Sequence, residues 1–445
     1  MTQRICRLWN LSILTVLFLT AYNIFLAFKL TQHPECPKVS TTPRKHIQRL
    51  PTPIVLKNAA PTSENSQSLF DINLGRWDNR LEYKYFDNSF VGTQFINLSK
   101  QHRTCIATQS SLEKIHSIIQ VANHWDGPIS LAGFSSGDEE FNNLLLYVLY
   151  LRECFPKIRE KVNFHFAFPR GNAPIKIQVN SSLLNRLDCD NPYGLLMQLT
   201  KSKTKKKNMR WKNQNVYPQN HLRNLARKNC QSDFVFLTDI DVIPSYGMTQ
   251  LLDNFFMRDN CGTKLCAFVI PTFELDERVR FPTNKSELLR LADKGLARPF
   301  HEKVFIYNQF ATNFSRWQET RKDGPEAHVS HPVTNFEFLY EPFYVAKDTV
   351  PPHDERFVGY GYTRNTQVYE MFLAGYQFLV LSPIFTIHWG LQLKKSRPPW
   401  RESQNTKNMK KFKEFKRELL VKYKTNPTKK QISPDVGFAL GESRV

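Results

Sequence analysis

The sequence predicts an α/β fold in which helices flank a mixed, mostly parallel sheet, preceded by one transmembrane helix and a stem. Between residues 104 and 169, strand-like and helix-like segments alternate, and this alternation is typical of a sheet wrapped by helices. The apolar segment 234–237 is followed by two carboxylates, the pattern of a buried strand that carries a ligand site at its carboxyl end. The uncharged segment 8–28 is long enough to cross a bilayer once.

The amino-terminal sequence predicts type II membrane topology. Residues 8–28 would form roughly 30 Å of helix, and Arg4 and Arg7 precede them on the side expected to be cytoplasmic. Residues 1–7 are therefore predicted to be a cytoplasmic tail, and 8–28 a signal anchor. A cleaved signal peptide is the alternative, although the apolar region of such a peptide is usually shorter.

The rest of the chain is predicted to form a stem, a body and a tail. Residues 29–90 are assigned to the stem because much of this range is rich in Pro, Ser, Thr and Asn, with little hydrophobic periodicity. Residues 91–425 are assigned to a lumenal catalytic domain, and 426–445 to a C-terminal tail. Four N-x-S/T sequons beyond the anchor agree with a lumenal body: Asn97, Asn180, Asn284 and Asn313.

The first elements of the body are predicted from their hydrophobic periodicity. Strands are expected at Thr104–Thr108, Ile129–Phe134 and Val162–Pro169. Helices are expected near Leu112–Asn123 and Glu139–Phe155. Their order is the reason for expecting a sheet with helices on its faces.

The chain is strongly basic, with 61 Lys and Arg against 40 Asp and Glu. A nucleic-acid partner is not predicted, because the densest basic run, residues 201–213, lies behind a membrane anchor. We interpret this run as a solvated surface loop, with steering of an anionic donor or glycan as the alternative.

The cysteines predict disulfides in an oxidising compartment. Seven of the eight follow the anchor and would meet an oxidising lumen. Because seven is odd, one is expected to be free or to pair between chains, and Cys36 in the stem is the expected one. No C-x-x-C pair or His cluster with zinc spacing occurs, which argues against a structural zinc site.

The most informative motif is F-V-F-L-T-D-I-D at residues 234–241. Two hard oxygen ligands, Asp239 and Asp241, suit a divalent cation that holds a diphosphate. The same D-x-D spelling at Asp188 and Asp190 has no strand before it, and we interpret it as a turn. The setting of the first pair, and not its spelling, therefore predicts a metal site.

Residues 217–229 predict a helix that begins near Pro218. Asn220, Arg223 and Arg227 share one face of that helix. A guanidinium fork matches a carboxylate or a pair of phosphate oxygens, so the three residues are candidates for donor binding. The alternative is an exposed polar face.

The acids downstream are candidates for a general base. Asp354 and Glu355 precede an aromatic, glycine-rich turn at 357–361, and Glu370 follows a few helical turns later. A base needs hydrogen-bond reach to the proton that it removes. For each of the three, a structural or surface carboxylate is the alternative.

A histidine follows the last apolar strand, where F-L-V-L-S-P-I-F-T-I ends in His388. A histidine in this position is often a satisfied core residue. Together with Asp239 and Asp241, however, it predicts a third metal ligand, because imidazole can complete an oxygen-rich Mn²⁺ site.

Across about Thr104 to Tyr423 the sequence resembles family 49 glycosyltransferases: the β-1,4-glucuronyltransferases that prime the dystroglycan glycan and the second catalytic domain of the LARGE enzymes. The resemblance is carried by the following motifs: W-D-G-P-I-S-L-A at 125–132, Y-P-Q-N-H-L-R-N-L-A-R at 217–227, T-D-I-D-V-I-P-S at 238–245, E-P-F-Y-V at 341–345, D-E-R-F-V-G-Y-G at 354–361 and H-W-G at 388–390.

The resemblance implies a GT-A type, Rossmann-like fold, and inverting transfer of glucuronic acid from UDP-glucuronate to a xylose-terminated acceptor with Mn²⁺. It also implies a Golgi setting in O-mannosyl glycan synthesis. Other copies of the chain or other Golgi transferases are the expected partners in an oligomer. Asp239 and Asp241 would hold the metal and diphosphate, and His388 would close the metal site. Two features depart from the pattern: the Lys-rich insertion at 201–207, and Thr363-Arg364 where galactosyltransferases carry an acid pair after Gly-Trp-Gly.

Three alternatives stay open at this point. The donor could be UDP-N-acetylglucosamine or UDP-xylose, and the fold could serve a non-catalytic lumenal partner that binds glycans. A phosphatase of the haloacid dehalogenase type also places D-x-D after a strand, but no G-D-x-x-x-D follows residue 241.

Overall fold

The computed structural model describes residues 19–24, 74–176, 188–200, 216–258, 261–320, 324–393 and 399–423. The chain divides into two compact units, Met1–Thr52 and Pro53–Val445. In the first unit, residues 19–24 are helical and exposed. The predicted tails, the basic run, most of the anchor and most of the stem lie outside the described residues. Within the described ranges, no helix combines the length and the apolar character that a bilayer crossing requires.

The second unit alternates strands and helices along the chain. Its strands are β1 (Arg76–Trp77), β2 (Tyr83–Phe90), β3 (Thr104–Ser111), β4 (Ile129–Phe134), β5 (Val162–Pro169), β6 (Phe234–Leu237), β7 (Val242–Pro244), β8 (Cys266–Ile270), β9 (Thr272–Leu275), β10 (Ala297–Pro299), β11 (His328–Pro332), β12 (Phe343–Lys347), β13 (Gln377–Ser382) and β14 (Thr386–Trp389).

The helices of this unit lie between the strands in sequence, and α6 (Gln219–Lys228) packs on β3 and β4. They are α1 (Phe95–Gln101), α2 (Ile118–His124), α3 (Gly137–Cys154), α4 (Pro156–Lys161), α5 (Pro192–Thr200), α6 (Gln219–Lys228), α7 (Met248–Met257), α8 (Lys285–Asp293), α9 (Phe314–Glu319), α10 (Arg364–Ala374) and α11 (Pro399–Tyr423). Single 3₁₀ turns occur at Ile115–Ser117, Arg170–Asn172, Ile306–Asn308 and Phe310–Thr312.

The large sheet is mixed, as predicted. Its strand order is β1-β2-β5-β4-β3-β6-β12-β8-β13-β11. The central strands β5, β4, β3 and β6 pair in parallel, and β12 then runs antiparallel to both β6 and β8. The sheet is therefore less parallel than expected: five of its nine strand pairings are antiparallel, and the alternation of strands and helices along the sequence does not predict them.

The strands predicted from hydrophobic periodicity agree closely with those of the structure. β4 and β5 have the predicted bounds, and β3 extends the first predicted strand to Ser111. The predicted helix near 112–123 is instead a 3₁₀ turn followed by α2. These central strands are buried on both faces, so their continuous apolar runs reflect packing against helices on each side.

A second sheet has four strands in the order β10-β9-β14-β7. β14 runs antiparallel to β7, and His388 pairs with Val242. Because β7 begins just after the D-x-D motif, this register places the histidine of β14 beside the second acid of that motif. The small sheet thus joins two motifs that lie almost 150 residues apart.

Three disulfides join described cysteines: Cys105–Cys230, Cys154–Cys189 and Cys261–Cys266. The first ties the parallel strand β3 to the segment between α6 and β6. All described cysteines are thereby paired, and the predicted odd cysteine, Cys36, lies outside the described residues. The C-terminal helix α11 packs Phe412, Phe415 and Leu419 against Phe357 and Leu373, which fixes it to the body.

Candidate active site

A cavity of about 740 Å³ opens at the carboxyl end of β3 and β6. It is lined by residues from β3, α6, α10, β14 and the start of α11, and by the turn after β6. Its polar lining includes Gln109, Lys114, Arg223, Asp239, Asp241, His301, Glu341, Arg364, His388 and Arg401. This location is the one expected for a ligand in an open α/β sheet.

Asp239 lies in the turn after β6 and is held by two arginines. Its Oδ1 accepts hydrogen bonds from Nη2 of Arg364 at 2.6 Å and from Nη2 of Arg223 at 3.4 Å. Burial opposes ionisation of Asp239, but the two guanidinium groups outweigh it and lower the pKa of the carboxyl group. Asp239 is therefore an anion at neutral pH.

Asp241 lies two residues further on, between a histidine and a lysine. Its Oδ2 is 3.6 Å from Nε2 of His388 and 2.5 Å from Nζ of Lys114. Burial again opposes ionisation, and the contacts with His388 and Lys114 outweigh it, so the pKa of Asp241 is lowered. A lysine ammonium on this oxygen marks a position that attracts a cation.

The site contains a second histidine that the sequence did not single out. His301 shares the cavity with His388, and its Nδ1 is 2.8 Å from the side-chain amide of Asn308. Burial, followed by the nearby His388, lowers the pKa of His301 to about 4. His301 is therefore neutral at pH 7 and can act as a hydrogen-bond partner or ligand.

The donor set suits a divalent cation. Asp239, Asp241 and His388 were predicted as its ligands, and the structure brings all three to one wall of the cavity. Two ionised carboxylates and an imidazole are ligand types that Mn²⁺ accepts, and Lys114 already places a positive charge on one of them. Their role as ligands remains a prediction.

Of the residues predicted to bind the donor on α6, Arg223 lines the cavity. Its Nη1 donates to Oδ1 of Asn220 at 3.1 Å and to Thr363 Oγ1 at 3.3 Å. Its Nε is buried without a hydrogen-bond partner among the described residues. A buried donor without a partner is destabilising.

The other two members of this predicted set lie outside the cavity lining. Asn220 is buried and orients Arg223, and its Nδ2 donates to the main-chain oxygen of Asp354 at 2.9 Å. Arg227 points away, with its Nε 2.7 Å from Oδ1 of Asp348. One turn of helix thus separates an arginine in the cavity from one in a structural ion pair.

None of the three predicted base candidates belongs to the described lining of the cavity. Asp354 accepts from the guanidinium of Arg356. Glu355 accepts from Asn224 Nδ2 at 3.0 Å, and Glu370 accepts from Lys422 at 2.9 Å. The turn that follows the first two does reach the cavity, through Gly359 and Tyr360, but it does not bring the acids with it.

Sequence reasoning missed Glu341, Arg364 and Lys114 as lining residues. Burial raises the pKa of Glu341, and Arg364 and Arg223 only partly oppose that effect. Glu341 lies two residues before β12, and the motif E-P-F-Y-V that contains it served only as a mark of family resemblance. Its position beside β6 follows from the antiparallel pairing of β12 with that strand.

The cavity of this α/β fold contains paired acids, an imidazole and arginines. This combination is typical of an enzyme that binds an anionic ligand at the end of a central strand. The family model described as "Glycosyl-transferase for dystroglycan" matches residues 103–424. The chain belongs to this family, and it is a glycosyltransferase.

Individual relatives agree with the family match. The chain is 29% identical to the Danio rerio protein beta-1,4-glucuronyltransferase 1 over 79% of this chain and 83% of that one. It is 31% identical to the Homo sapiens protein of the same name, over 72% and 76% respectively. The Homo sapiens xylosyl- and glucuronyltransferase LARGE1 is 27% identical over 64% of this chain and 30% of that longer one.

Solved structures add only a weak likeness. A crystal structure of GalNAc-T7 with UDP, GalNAc and Mn²⁺ aligns with a TM-score of 0.34 and 9% identity, over 72% of this chain and 50% of that one. A score this low does not define the fold further.

Proposed function

We propose that the protein is an inverting, metal-dependent β-1,4-glucuronyltransferase of the GT-A type. It would move glucuronic acid from UDP-glucuronate to a xylose-terminated acceptor on a glycoprotein. The observation that carries the proposal is the meeting of Asp239, Asp241 and His388 in a cavity that also contains arginines. The relatives named as glucuronyltransferases support the choice of sugar.

The acids and the imidazole have a defined part in this proposal. Asp239, Asp241 and His388 would hold Mn²⁺, which when bound supplies Lewis-acid stabilisation of the charge on the departing diphosphate. Lys114 lies 2.5 Å from Asp241, so its ammonium would add positive charge beside the departing diphosphate. Arg364 keeps Asp239 ionised and fixes its side chain.

Arg223 supports an anionic donor. Two guanidinium groups, those of Arg223 and Arg364, share the single carboxylate Asp239 as an acceptor, and Nε of Arg223 lacks a partner among the described residues. Because the Arg223 side chain lines the cavity, a sugar carboxylate or a phosphate oxygen would accept from its guanidinium group. Arg223 therefore takes the donor-binding role in the proposal, and Arg227 does not.

The proposed chemistry also needs a base on the acceptor side. A carboxylate removes the proton from an acceptor hydroxyl, whose oxygen attacks the anomeric carbon as the bond to UDP breaks. Among the described lining acids, Glu341 has a pKa raised by burial, which suits a group that takes up a proton. We assign the base to Glu341 in preference to Asp354, Glu355 and Glu370, whose carboxylates are engaged outside the cavity.

The proposed setting is the Golgi membrane, with a single-pass type II anchor at 8–28 and the catalytic domain in the lumen. Three disulfides among the described cysteines support an oxidising compartment. The proposed partners are the UDP-sugar and a glycan acceptor on an O-mannosylated glycoprotein of the dystroglycan type.

A donor screen tests the proposal. The purified chain is incubated with UDP-glucuronate, UDP-N-acetylglucosamine or UDP-xylose and a simple xyloside, with and without Mn²⁺, and released UDP and the glycoside product are measured. We expect Mn²⁺-dependent product with UDP-glucuronate alone, with a β-1,4 linkage by NMR. Product from another donor would overturn the sugar assignment, and no product from any donor would favour a glycan-binding partner.

A further inference from the structure

A buried cluster of one histidine and two acids lies apart from the cavity. Asp78, His221 and Glu355 each offer one ligand atom, and these atoms lie within 4.8 Å of one another. The imidazole of His221 is fully buried, and Asp78 is 4% exposed. None of the three is among the described residues that line the active-site cavity.

His221 has no ordinary hydrogen bond to explain its position. Its Nε2 is 3.8 Å from Oδ2 of Asp78 and 3.9 Å from Oε2 of Glu355, which is too long for a hydrogen bond. Neither ring nitrogen has another partner within the described part of the chain. A buried polar ring without partners is destabilising. Burial lowers the pKa of His221 to about 4, so the ring is neutral at pH 7 and offers a lone pair.

The carboxylate of Asp78 is fixed from the opposite side. Its Oδ1 accepts from the main-chain nitrogens of Glu82 at 2.7 Å and Tyr83 at 2.8 Å. Its Oδ2, the oxygen nearest His221, accepts one longer bond from the main-chain nitrogen of Arg80 at 3.3 Å. One lone pair of this oxygen is left to face the ring.

Glu355 is oriented in the same manner. Its Oε1 accepts from Nδ2 of Asn224 at 3.0 Å, and its other oxygen, Oε2, faces His221. Both acids therefore have one oxygen anchored by protein N–H groups and the other directed at the ring. Protein metal sites commonly hold their ligands through such outer hydrogen bonds.

We propose that Asp78, His221 and Glu355 bind a divalent transition-metal ion, with Zn²⁺ as the best match. A point equidistant from the three ligand atoms lies at most about 2.5 Å from each, so a small inward shift of the side chains would bring them to the usual Zn–N and Zn–O distances. Two carboxylates would balance the charge of the ion, and a water would complete a tetrahedral shell. Ligands so far apart in sequence escape any spacing rule, which is why the sequence argued against zinc.

The ion would join three segments that the chain brings together here. Asp78 follows β1, His221 lies on α6, and Glu355 lies in the loop before α10. The same helix carries Arg223 into the active-site cavity, and the same loop carries Gly359 and Tyr360 to it. The site would therefore position one wall of the cavity without touching the substrate.

Metal analysis of four purified full-length proteins tests the proposal: the parental chain, Asp241→Ala, His221→Gln and the double variant. Each is dialysed against metal-free buffer, incubated with Zn²⁺, dialysed again and measured by inductively coupled plasma mass spectrometry. We expect about one Zn²⁺ per chain in Asp241→Ala and none in the double variant, and one Zn²⁺ fewer per chain in His221→Gln than in the parental protein, since both of the latter keep the cavity site. Zn²⁺ added at about 100 times Kd should raise the Tm of Asp241→Ala by about 3 °C or more.

Asp241→Ala separates this site from the proposed catalytic metal, so the test does not depend on transferase activity. If His221→Gln does not fold, the decision rests on Asp241→Ala alone, in which X-ray absorption at the zinc edge should show one imidazole among oxygen ligands. The proposal is overturned if Asp241→Ala retains no Zn²⁺ and shows no shift in Tm, or if His221→Gln retains as much as its parent.

Discussion

Replacing Asp241 with Asn should greatly slow catalysis while leaving the fold intact. The Asp241 carboxylate contacts Lys114 and His388 at the cavity wall, and Asn keeps its shape but removes the charge that would hold the metal. If that metal contributes about 4 kcal/mol to the transition state, its loss lowers the rate roughly 10³-fold. The ion pair with Lys114 joins side chains that are 63% and 24% exposed, so its loss costs at most about 1 kcal/mol of stability.

The charge on the neighbouring acid supports the same expectation for stability. Asp241 raises the pKa of Asp239 through repulsion, and Asn at position 241 relieves that repulsion, which offsets part of the lost pairing. The assay is UDP release from UDP-glucuronate with a xyloside and Mn²⁺, beside thermal unfolding of the same preparation. Asp190→Asn is the matched control, since it alters the second acid of the other D-x-D sequence, in an exposed turn. Parental turnover by Asp241→Asn, or equal loss in Asp190→Asn, would refute the reasoning.

Three further predictions concern other residues of the cavity and the core. Glu341→Gln should lower kcat by about 10²-fold or more with little change in KM for the donor, because a positioned base contributes that much. Glu370→Gln, outside the cavity, should keep kcat within about twofold. If steady-state kinetics show the large loss of kcat in Glu370→Gln and not in Glu341→Gln, the base is Glu370. Arg223→Lys should lower kcat/KM for UDP-glucuronate about 10-fold or more, because an ammonium cannot replace the guanidinium fork; Arg227→Lys on the same helix is the control, and equal losses would place Arg223 in a structural role. Burial lowers the pKa of His165 to about 4; the unfolded chain takes up this proton below about pH 6.5 and the folded chain does not, so the free energy of unfolding should fall by up to about 3 kcal/mol as the pH drops from 6.5 to 4. Unfolding free energies from denaturant titrations at several pH values should depend less steeply on pH in His165→Asn than in the parental protein. An equal dependence on pH would show that His165 is not the cause.

The D-x-D site illustrates what a sequence can predict. An apolar run of strand length followed by paired acids needs only local information, and the structure has a buried strand, β6, at that position. His388 is predicted as a metal ligand on chemical grounds. Two carboxylates leave a metal site incomplete, and His388 is a metal-ligating residue at the end of another strand. Its location beside Asp241 depends on the pairing of β14 with β7, which nothing local in either strand encodes.

The arginines of α6 show where periodicity stops being informative. Arg223 and Arg227 differ by one turn and share a helix face, so any argument from the helix alone treats them equally. The distinction comes from their tertiary partners: Asp239 and Thr363 for the first, and Asp348 for the second. Which arginine meets the ligand is thus set outside the helix: by the turn after β6, 16 residues from Arg223, and by two loops more than 100 residues away.

The position of Glu341 follows from a topological feature that the alternation of strands and helices does not predict. In a wholly parallel sheet, only residues after a strand reach the edge where ligands bind. β12 instead runs antiparallel to β6, with Tyr344 opposite Leu237, so the residues that precede β12 lie at the edge reached by those that follow β6. Glu341 is brought beside Asp239 in this way, and burial there raises its pKa. A search for catalytic acids in mixed sheets should therefore include the residues just before an antiparallel strand that neighbours the metal-binding one.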